Sequence, residues 1–349
     1  MSTSMKAAVL TGFGGPERLL VREDVAVPRP GRGQVLVRVA AAAVNNTDLW
    51  TRHGAYGLPE DPSALAGWRG TIEFPRVQGG DIAGTVVELG AEVDPALHGA
   101  RVLVDPALYE AETAEANPVG LLGSEADGGF AQYVVVAAAR AHVMTGSPLS
   151  DEQLACLPIA YGTAMGMLER ARIAEGESVL VTGASGGVGL ALVQLAAARG
   201  AHVVATTTRD KSELVSRSGA HTVIRRDADD VVEAIAGAVA GGLDAVADVV
   251  GGDSVSRLLP LLRDGGRWVI AGAVAGSGIS FDLRRLYLRN LALIGSSMHT
   301  PGHFAELAEV ARHGLVTPRV SARYPLSEIH AAQGEFARHA HVGKITITP

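Results

Sequence analysis

The sequence predicts an α/β protein in which a β-rich first part is followed by a doubly wound parallel sheet. From about residue 151 onward, short apolar strands alternate with helical segments, which favours right-handed βαβ crossovers. In the first 150 residues, short runs rich in Val and Leu are bounded by Gly and Pro, as in strands joined by turns. The length of 349 residues suits two domains, and 47% apolar residues with 43 glycines suit a large core with many tight turns.

The first part is predicted to consist mainly of strands. Each run is short, apolar and bounded by turn-forming or charged residues. The predicted strands are Ala7–Leu10, Gln34–Val39, Asp81–Leu89, Ala100–Val104 and Tyr133–Ala139. The segment Asp105–Asp127 differs, because it carries six acidic residues with little periodicity, and we expect a long surface loop there.

The second part is predicted to alternate strands with helices. Its strands are Ser178–Thr182, His202–Thr206, Thr222–Ile224, Ala245–Val250, Arg267–Ala271 and Leu291–Ile294. The predicted helices are Gly187–Ala198, Lys211–Ser218, Asp229–Ala240, Ser254–Leu262 and Gly302–His313. After Pro318 the pattern is mixed again and ends in the strand Lys344–Thr348, so we expect domains at 1–150 and 151–300, with 301–349 returning to the first.

Charge, cysteine content and hydropathy exclude several classes of protein. The net charge is −7 and no basic patch is present in the sequence, so a surface that binds nucleic acid is not predicted. The single cysteine, Cys156, excludes an internal disulfide and any zinc site with two or more thiolates. The first residues lack a signal-peptide pattern, and no apolar run approaches the roughly 18 residues of a membrane span. We therefore expect a cytoplasmic protein that acts on a small molecule rather than on nucleic acid or a membrane.

A glycine-rich loop is the sharpest motif in the sequence. It follows the strand Ser178–Thr182 and opens a helix, the context in which small residues let the backbone approach a pyrophosphate at a helix N-terminus. Ala replaces the first glycine of the usual spacing, and a tight turn that only packs helix on strand is the alternative. We favour dinucleotide binding by Ala184, Ser185, Gly186, Gly187, Val188 and Gly189.

The end of the second strand of this part predicts which dinucleotide binds. No acidic residue occurs from Ser178 through Arg209, whereas sites for NAD place an acid there to hold the ribose hydroxyl. Hydroxyl and cationic side chains suit the 2′-phosphate of NADPH instead. The predicted phosphate-binding residues are Thr206, Thr207, Arg209 and Lys211. The alternative is that Asp210 holds the ribose of NADH and Arg209 is a solvated surface charge.

Small residues also follow the later strands. Ligands of open α/β sheets lie beyond the carboxyl ends of the strands, so these residues are candidates for the wall of a nicotinamide site. The candidates are Gly251, Gly272, Ala273, Ser296 and Ser297. Ordinary glycine-rich turns between strand and helix are the alternative for each of them.

Several segments together resemble the medium-chain dehydrogenase/reductase superfamily over nearly the whole chain. They are Ala42–Asp48 with Arg52–Gly54, Phe74–Gly90, Gly128–Tyr133, Thr163–Ala164, the phosphate loop and Gly343–Lys344. The resemblance implies a GroES-like catalytic domain in two sequence pieces around a Rossmann domain. It also implies cofactor contacts from Thr163 and Lys344 and a homodimer formed through edge strands.

The chain departs from the zinc alcohol dehydrogenases of this superfamily at each catalytic-zinc position. Those positions hold Asn45, Gly80 with Asp81, and Ile159, so neither a thiolate nor an imidazole remains. We expect Cys156 to be a small buried residue, and two histidine pairs, His299 with His303 and His339 with His341, to be solvated. We therefore predict no metal. The resemblance then narrows to zeta-crystallin-like quinone oxidoreductases and to enone and 2-enoyl thioester reductases.

The chemistry predicted from this resemblance is hydride transfer from NADPH to a quinone or an α,β-unsaturated carbonyl. Asn45 or a backbone N–H would stabilise charge on the carbonyl oxygen, and Tyr56 or solvent would supply a proton. Tyr56 lining the pocket without reacting is equally compatible with the sequence, and Asp48 is expected to fix the local loop. Three other functions stay open: a zinc-independent alcohol or ketone reductase, a non-catalytic NADPH-binding protein, and a zinc dehydrogenase with atypical ligands.

Overall fold

The structure is a computed structural model that describes residues 3–57 and 66–349. The chain divides into two compact units. Unit 1 comprises residues 1–159 and 300–349, and unit 2 comprises residues 160–299. Within the described residues, no helix is long and apolar enough to cross a membrane.

The strands and helices are numbered in chain order. Strands β1 to β18 are Ser4–Leu10, Leu19–Ala26, Gln34–Ala43, Arg76–Val77, Asp81–Leu89, Arg101–Val104, Ala107–Tyr109, Pro118–Leu121, Tyr133–Ala137, Ala141–Val143, Ser178–Val181, His202–Thr207, Thr222–Arg225, Leu243–Asp248, Leu262–Ile270, Ala292–Gly295, Val320–Pro325 and Lys344–Thr348. Helices α1 to α10 are Asn46–His53, Asp151–Ala155, Ala160–Arg170, Gly187–Ala198, Ser212–Arg217, Val231–Ala238, Ser254–Leu258, Arg284–Tyr287, Pro301–Arg312 and Ile329–Ala337.

Unit 1 is built around a sheet in the order β10-β6-β5-β3-β18-β17, with β9 also pairing with β3. Most of its core residues are aliphatic, and alternate residues of β3, such as Val35 and Val37, contribute to it from one buried face. Strand β18 runs antiparallel to β3, with Thr346 opposite Ala43. This pairing brings the C-terminal strand beside the end of β3 and the start of α1.

Unit 2 is a parallel sheet in the order β13-β12-β11-β14-β15-β16 with helices between successive strands. Helix α4 is almost wholly apolar, and Leu190, Leu192, Val193 and Leu195 are buried, as expected for a helix packed on a sheet. The strand order reverses between β11 and β14, and all carboxyl ends share one edge of the sheet. The predicted doubly wound parallel sheet is confirmed.

Two details of unit 1 differ from the sequence-based expectation. The segment Asp105–Asp127 is not one long loop, because β7 and β8 form an antiparallel hairpin within it. Asp105 is buried and accepts hydrogen bonds from Ala107 N and the Tyr109 hydroxyl in β7, the first strand of the hairpin. Residues 151–159 lie in unit 1 rather than at the start of unit 2, because Arg101 pairs with Asp151 (2.6 Å) and Asp81 accepts from Ile159 N.

Candidate active site

A buried lysine organises the end of β3 in unit 1. The Lys344 side chain is only 3% exposed, and its Nζ donates to Val44 O (2.9 Å) and to Asn45 Oδ1, and lies 2.9 Å from Asp81 Oδ2. An ammonium group has three hydrogens, and these three acceptors use all of them. This arrangement goes against the predicted contact of Lys344 with the cofactor, because these acceptors leave no hydrogen for a phosphate or ribose oxygen; the contact stays a prediction.

Asn45 and Asp81 complete this buried cluster. Asn45 Nδ2 donates to Asp81 Oδ2 (2.8 Å) and Ala43 O (3.3 Å), and Ile159 N donates to Asp81 Oδ1 (2.7 Å). Both amide hydrogens of Asn45 are thus engaged inside unit 1. This arrangement goes against the predicted role of Asn45 as a donor to a substrate oxygen, and a backbone N–H remains the alternative.

The donor set at this cluster does not fit zinc. Asn45 supplies a neutral amide, Asp81 is already paired with Lys344, and Ile159 is aliphatic. Burial raises the pKa of the Cys156 thiol to about 12, so the thiolate that a metal requires is disfavoured. Across residues 3–57 and 66–349, no group of three His, Cys, Asp or Glu side chains is placed to hold a metal ion.

Helix α1 carries a buried acid, and a phenol lies just beyond its end. Asp48 is buried, its Oδ2 accepts from Asn45 N (2.7 Å), and desolvation by burial raises its pKa to about 7. The Tyr56 hydroxyl, just beyond the helix, donates to Thr47 Oγ1 (3.1 Å), and the Trp50 ring packs at 5.4 Å from the Tyr56 ring. Burial raises the pKa of Tyr56 to about 12, so the phenol keeps its proton at neutral pH.

The phosphate loop of unit 2 has the geometry that a pyrophosphate requires. Gly183 has a φ of 59°, and a Cβ at Gly189 would lie 2.1 Å from the Gly183 carbonyl oxygen, so both positions need glycine. Gly186 caps α4 without offering a side-chain acceptor, which leaves the first-turn N–H groups to an anion. Ala184 N donates to Thr206 O (3.1 Å), which fixes the loop beside the end of β12.

Cationic residues gather where β12 and β13 end. Thr207 is opposite Arg225 in the sheet, and Arg226 N donates to Thr207 O (2.9 Å). Arg209 and Lys211 follow β12 in a short turn of 3₁₀ helix. Asp210 lies in the same turn, and its pKa is lowered mainly by a hydrogen bond from the Thr208 side chain, with a smaller effect of Arg226. The structure thus adds Arg225 and Arg226 to the cations predicted from sequence.

The predicted nicotinamide-wall residues also lie at this edge of the sheet. Gly251 follows β14, Gly272 and Ala273 follow β15, and Ser296 and Ser297 follow β16. Together with the phosphate loop, Thr206 and Thr207, they share the carboxyl ends of parallel strands. Their binding roles stay predictions.

Helix α3 packs against the segment that follows β16. Thr163 Oγ1 lies 3.7 Å from Met298 Sδ, and Arg170 Nη1 donates to Ser296 Oγ (3.0 Å) and Met298 O (2.8 Å). Met298 has a φ of 57°, a conformation that favours glycine, so these contacts hold a strained backbone. His299 is fully buried here, contrary to the expectation that it is solvated, and a Cβ at Gly162 would meet its ring at 2.3 Å.

Sequence reasoning missed four residues of these sites: Asp81 as the partner of Lys344, Arg225, Arg226, and Asp248 at the end of β14. Asp248 is fully buried and accepts hydrogen bonds from Thr182 and Gly251. The signal in the sequence was an acid that ends an apolar strand and precedes Gly251 and Gly252.

Two family models match the chain. The alcohol dehydrogenase GroES-like domain matches residues 31–146, and the zinc-binding dehydrogenase model matches residues 187–312. The quinone oxidoreductase of Mus musculus is 31% identical over 335 residues, which cover 93% of this chain and 91% of that protein. The predicted GroES-like domain is thereby confirmed.

Solved structures agree in fold over the full length. The crystal structure of a candidate alcohol dehydrogenase from Sinorhizobium meliloti 1021 has a TM-score of 0.94 and 44% identity, covering 100% of this chain and 98% of that one. A candidate zinc-binding dehydrogenase from the same organism, bound to NADP, has a TM-score of 0.84 and 28% identity, with both chains fully covered.

Proposed function

We propose a function that starts from the family of the chain. The chain belongs to the medium-chain dehydrogenase/reductase superfamily and is a nicotinamide-dependent oxidoreductase. The proposal is that it uses NADPH, without zinc, to reduce a quinone or an α,β-unsaturated carbonyl compound. Its surroundings are proposed to be the cytoplasm.

The observation that carries the proposal is the Lys344 ammonium between Asp81 and Asn45. A zinc dehydrogenase polarises an alcohol or ketone oxygen with the metal, which needs free thiolate, imidazole or carboxylate ligands. Here the only carboxylate at those positions is neutralised by a lysine. A substrate whose carbonyl is conjugated accepts hydride without strong polarisation of its oxygen by a metal. This favours quinones and enones as substrates.

The choice of NADPH is supported by the end of the β12–β13 pair. Arg209, Lys211 and Arg226 follow the ends of β12 and β13, and cations at this edge would attract a doubly charged ribose phosphate. The NADP-bound relative from Sinorhizobium meliloti is consistent with this choice. Asp210 remains the counter-argument, because it could accept from a ribose hydroxyl.

The chain's own residues would bind the coenzyme, orient the substrate and supply the proton. Bound NADPH would supply the hydride. Negative charge then develops on the substrate oxygen, and a neutral phenol is suited to deliver the proton that completes the reduction. Tyr56 is the proposed donor, because a phenol carries its proton at neutral pH; its hydroxyl hydrogen, which Thr47 Oγ1 accepts in the structure, would turn to the substrate oxygen.

The test is coenzyme oxidation by the full chain with three substrates: a quinone, an enone and a saturated ketone, each with NADPH and with NADH. We expect turnover of the quinone or the enone with NADPH, unchanged by a chelator. Tyr56→Phe should lower kcat by about 10²-fold or more if Tyr56 is the proton donor. Loss of activity on chelation that zinc restores would contradict the proposal.

A second candidate is a reductase of saturated ketones. It is favoured by the 44% identity to the candidate alcohol dehydrogenase from Sinorhizobium meliloti. The same panel separates the two, because this candidate requires turnover of the saturated ketone. Binding of NADPH without turnover of any of the three would favour a non-catalytic protein.

We also propose a homodimer formed through the β16 edge of unit 2. β16 is the last strand of its sheet, and an unpaired edge is a site for pairing with a second copy. Large apolar side chains are exposed nearby, at Val274, Leu283, Tyr287, Leu288 and Leu293. Sedimentation should give a dimer that Leu293→Lys dissociates, and a monomeric parent chain would refute this.

A further inference from the structure

Asp248 is a buried carboxylate on which neutral donors converge. Its Oδ1 accepts from Thr182 Oγ1 (2.5 Å), Val250 N (2.8 Å) and Gly251 N (3.1 Å), and its Oδ2 accepts from Trp268 Nε1 (3.2 Å). The side chain is 0% exposed. A carboxylate is needed here because it only accepts, whereas an amide would turn one donor group toward another donor.

These bonds join three strand ends that precede predicted cofactor-binding residues. Thr182 lies between β11 and the phosphate loop, and its Oγ1 also accepts from Val249 N (3.2 Å). Gly251 has a φ of 67°, and a Cβ there would lie 3.1 Å from Ala273 Cα in the turn after β15. Trp268 lies within β15 itself. One side chain therefore fixes the phosphate loop relative to the turns after β14 and β15.

We propose that Asp248 is a positioning residue for the coenzyme, a role that rests on the nicotinamide dependence within the proposed function. It holds Thr182 and the Gly251 turn so that the phosphate loop and the nicotinamide wall keep their spacing, without touching the coenzyme. Because both coenzymes share the pyrophosphate and the nicotinamide, the effect of Asp248 is the same for NADPH and NADH. Cations near β12 and β13 would instead affect only the phosphorylated form.

The same strand carries a matched control at its other end. Asp244 lies near the amino end of β14, accepts from Ser178 N of β11 (2.8 Å) and pairs with Arg263. Like Asp248, it ties β14 to β11 through its carboxylate. It stands at the edge of the sheet opposite the coenzyme residues, so its loss costs stability without displacing the phosphate loop.

The experiment measures the Kd of NADPH and of NADH by calorimetry for the full-length protein and for Asp248→Asn and Asp244→Asn. We expect Asp248→Asn to weaken both coenzymes by about tenfold or more, with the ratio of the two Kd values unchanged. Asp244→Asn should lower the unfolding midpoint yet bind both coenzymes as the parent does. Equal Kd values for Asp248→Asn and the parent, or equal losses in the two variants, would overturn the proposal.

Two substitutions of Thr182 test the same proposal if Asp248→Asn does not fold. Thr182→Ser retains the hydroxyl and should bind like the parent, whereas Thr182→Val removes it and should weaken both coenzymes. Equal binding by these two variants overturns the proposal. If the parent binds a coenzyme tightly but reduces no quinone or enone, the proposed substrate class fails while this inference stands. A parent that binds neither coenzyme refutes both.

Discussion

Two aspartates, one in each unit, are equally buried but are stabilised in different ways. Asp81 in unit 1 and Asp248 in unit 2 are both 0% exposed. Asp81 is neutralised by the Lys344 ammonium at 2.9 Å and also accepts from Asn45 and Ile159. Asp248 is held by a hydroxyl, an indole N–H and backbone N–H groups, all of them neutral.

The difference teaches how each site responds to loss of a partner. Removing one member of a buried ion pair leaves a full charge without compensation, which costs far more than the pair contributes. Removing one acceptor from a set of neutral donors leaves only dipoles unsatisfied, at a smaller cost for each donor. Unit 1 should therefore be more sensitive to loss of Lys344, the partner of its buried carboxylate, than unit 2 is to substitution of Asp248.

The largest effect is expected for Lys344→Met. The substitution leaves the Asp81 carboxylate buried without its cation and removes the donor to Asn45 Oδ1, so the free energy of unfolding should fall by about 3–5 kcal/mol. Urea unfolding measures this. The double variant Asp81→Asn/Lys344→Met should lose less than Lys344→Met alone, because the isolated charge is gone. A double variant as unstable as the sum of the two single variants would show that the ion pair is not what holds this region.

Asp248→Asn should destabilise the protein less, by about 1–3 kcal/mol. The amide keeps one acceptor oxygen but turns its NH₂ group toward one of the donors, Thr182, the backbone or Trp268. Because Trp268 donates to this side chain, the tryptophan fluorescence of the folded variant should also change. A loss larger than that of Lys344→Met would reverse the ranking of the two carboxylates.

A third effect concerns a buried acid that has no such pairing, Asp48. Its pKa is raised from 3.8 to about 7, chiefly by desolvation, so the folded state holds a proton that the unfolded state releases. This contribution to stability is fully present below about pH 4 and is lost as the pH rises through about 7. Relative to Asp48→Asn, which does not titrate, the parent should lose about 1.4 kcal/mol per pH unit within this range. Urea unfolding of both proteins at about pH 5 and pH 6 checks the slope, and a constant difference would contradict it.

The features that were predictable from sequence are those that depend on residues close together in the chain. The phosphate loop was predicted because its small residues, preceding strand and following helix occupy one short segment, and α4 begins and ends at the predicted residues Gly187 and Ala198. Strand β5 and strand β18 also have the predicted bounds, since each is a short run rich in apolar and β-branched residues. These features need no knowledge of distant contacts.

The buried polar clusters could not be predicted in the same way. Lys344 contacts Asn45 and Asp81 only because β18 pairs with β3. The sequence around each of the three residues does not predict this contact. For this reason the contact between Asn45 and Lys344 was not foreseen, and it goes against the roles predicted for both side chains. The hairpin in Asp105–Asp127 was missed because its strands, β7 and β8, are only three and four residues long and lie in a segment with the composition of a loop.

The smallest effect is expected for an exposed ion pair between a lysine and a carboxylate, the same chemistry as the buried pair of Lys344 and Asp81. Lys6 Nζ lies 3.0 Å from Glu23 Oε1, but the two side chains are 32% and 77% exposed. Lys6→Met should change the free energy of unfolding by no more than about 1 kcal/mol, because water already solvates both charges, and added salt should shrink even that change. The loss in Lys344→Met should by contrast persist in high salt, since ions do not reach the interior. If the two Lys→Met substitutions had similar costs and similar salt dependence, burial would not be the reason for the sensitivity of unit 1.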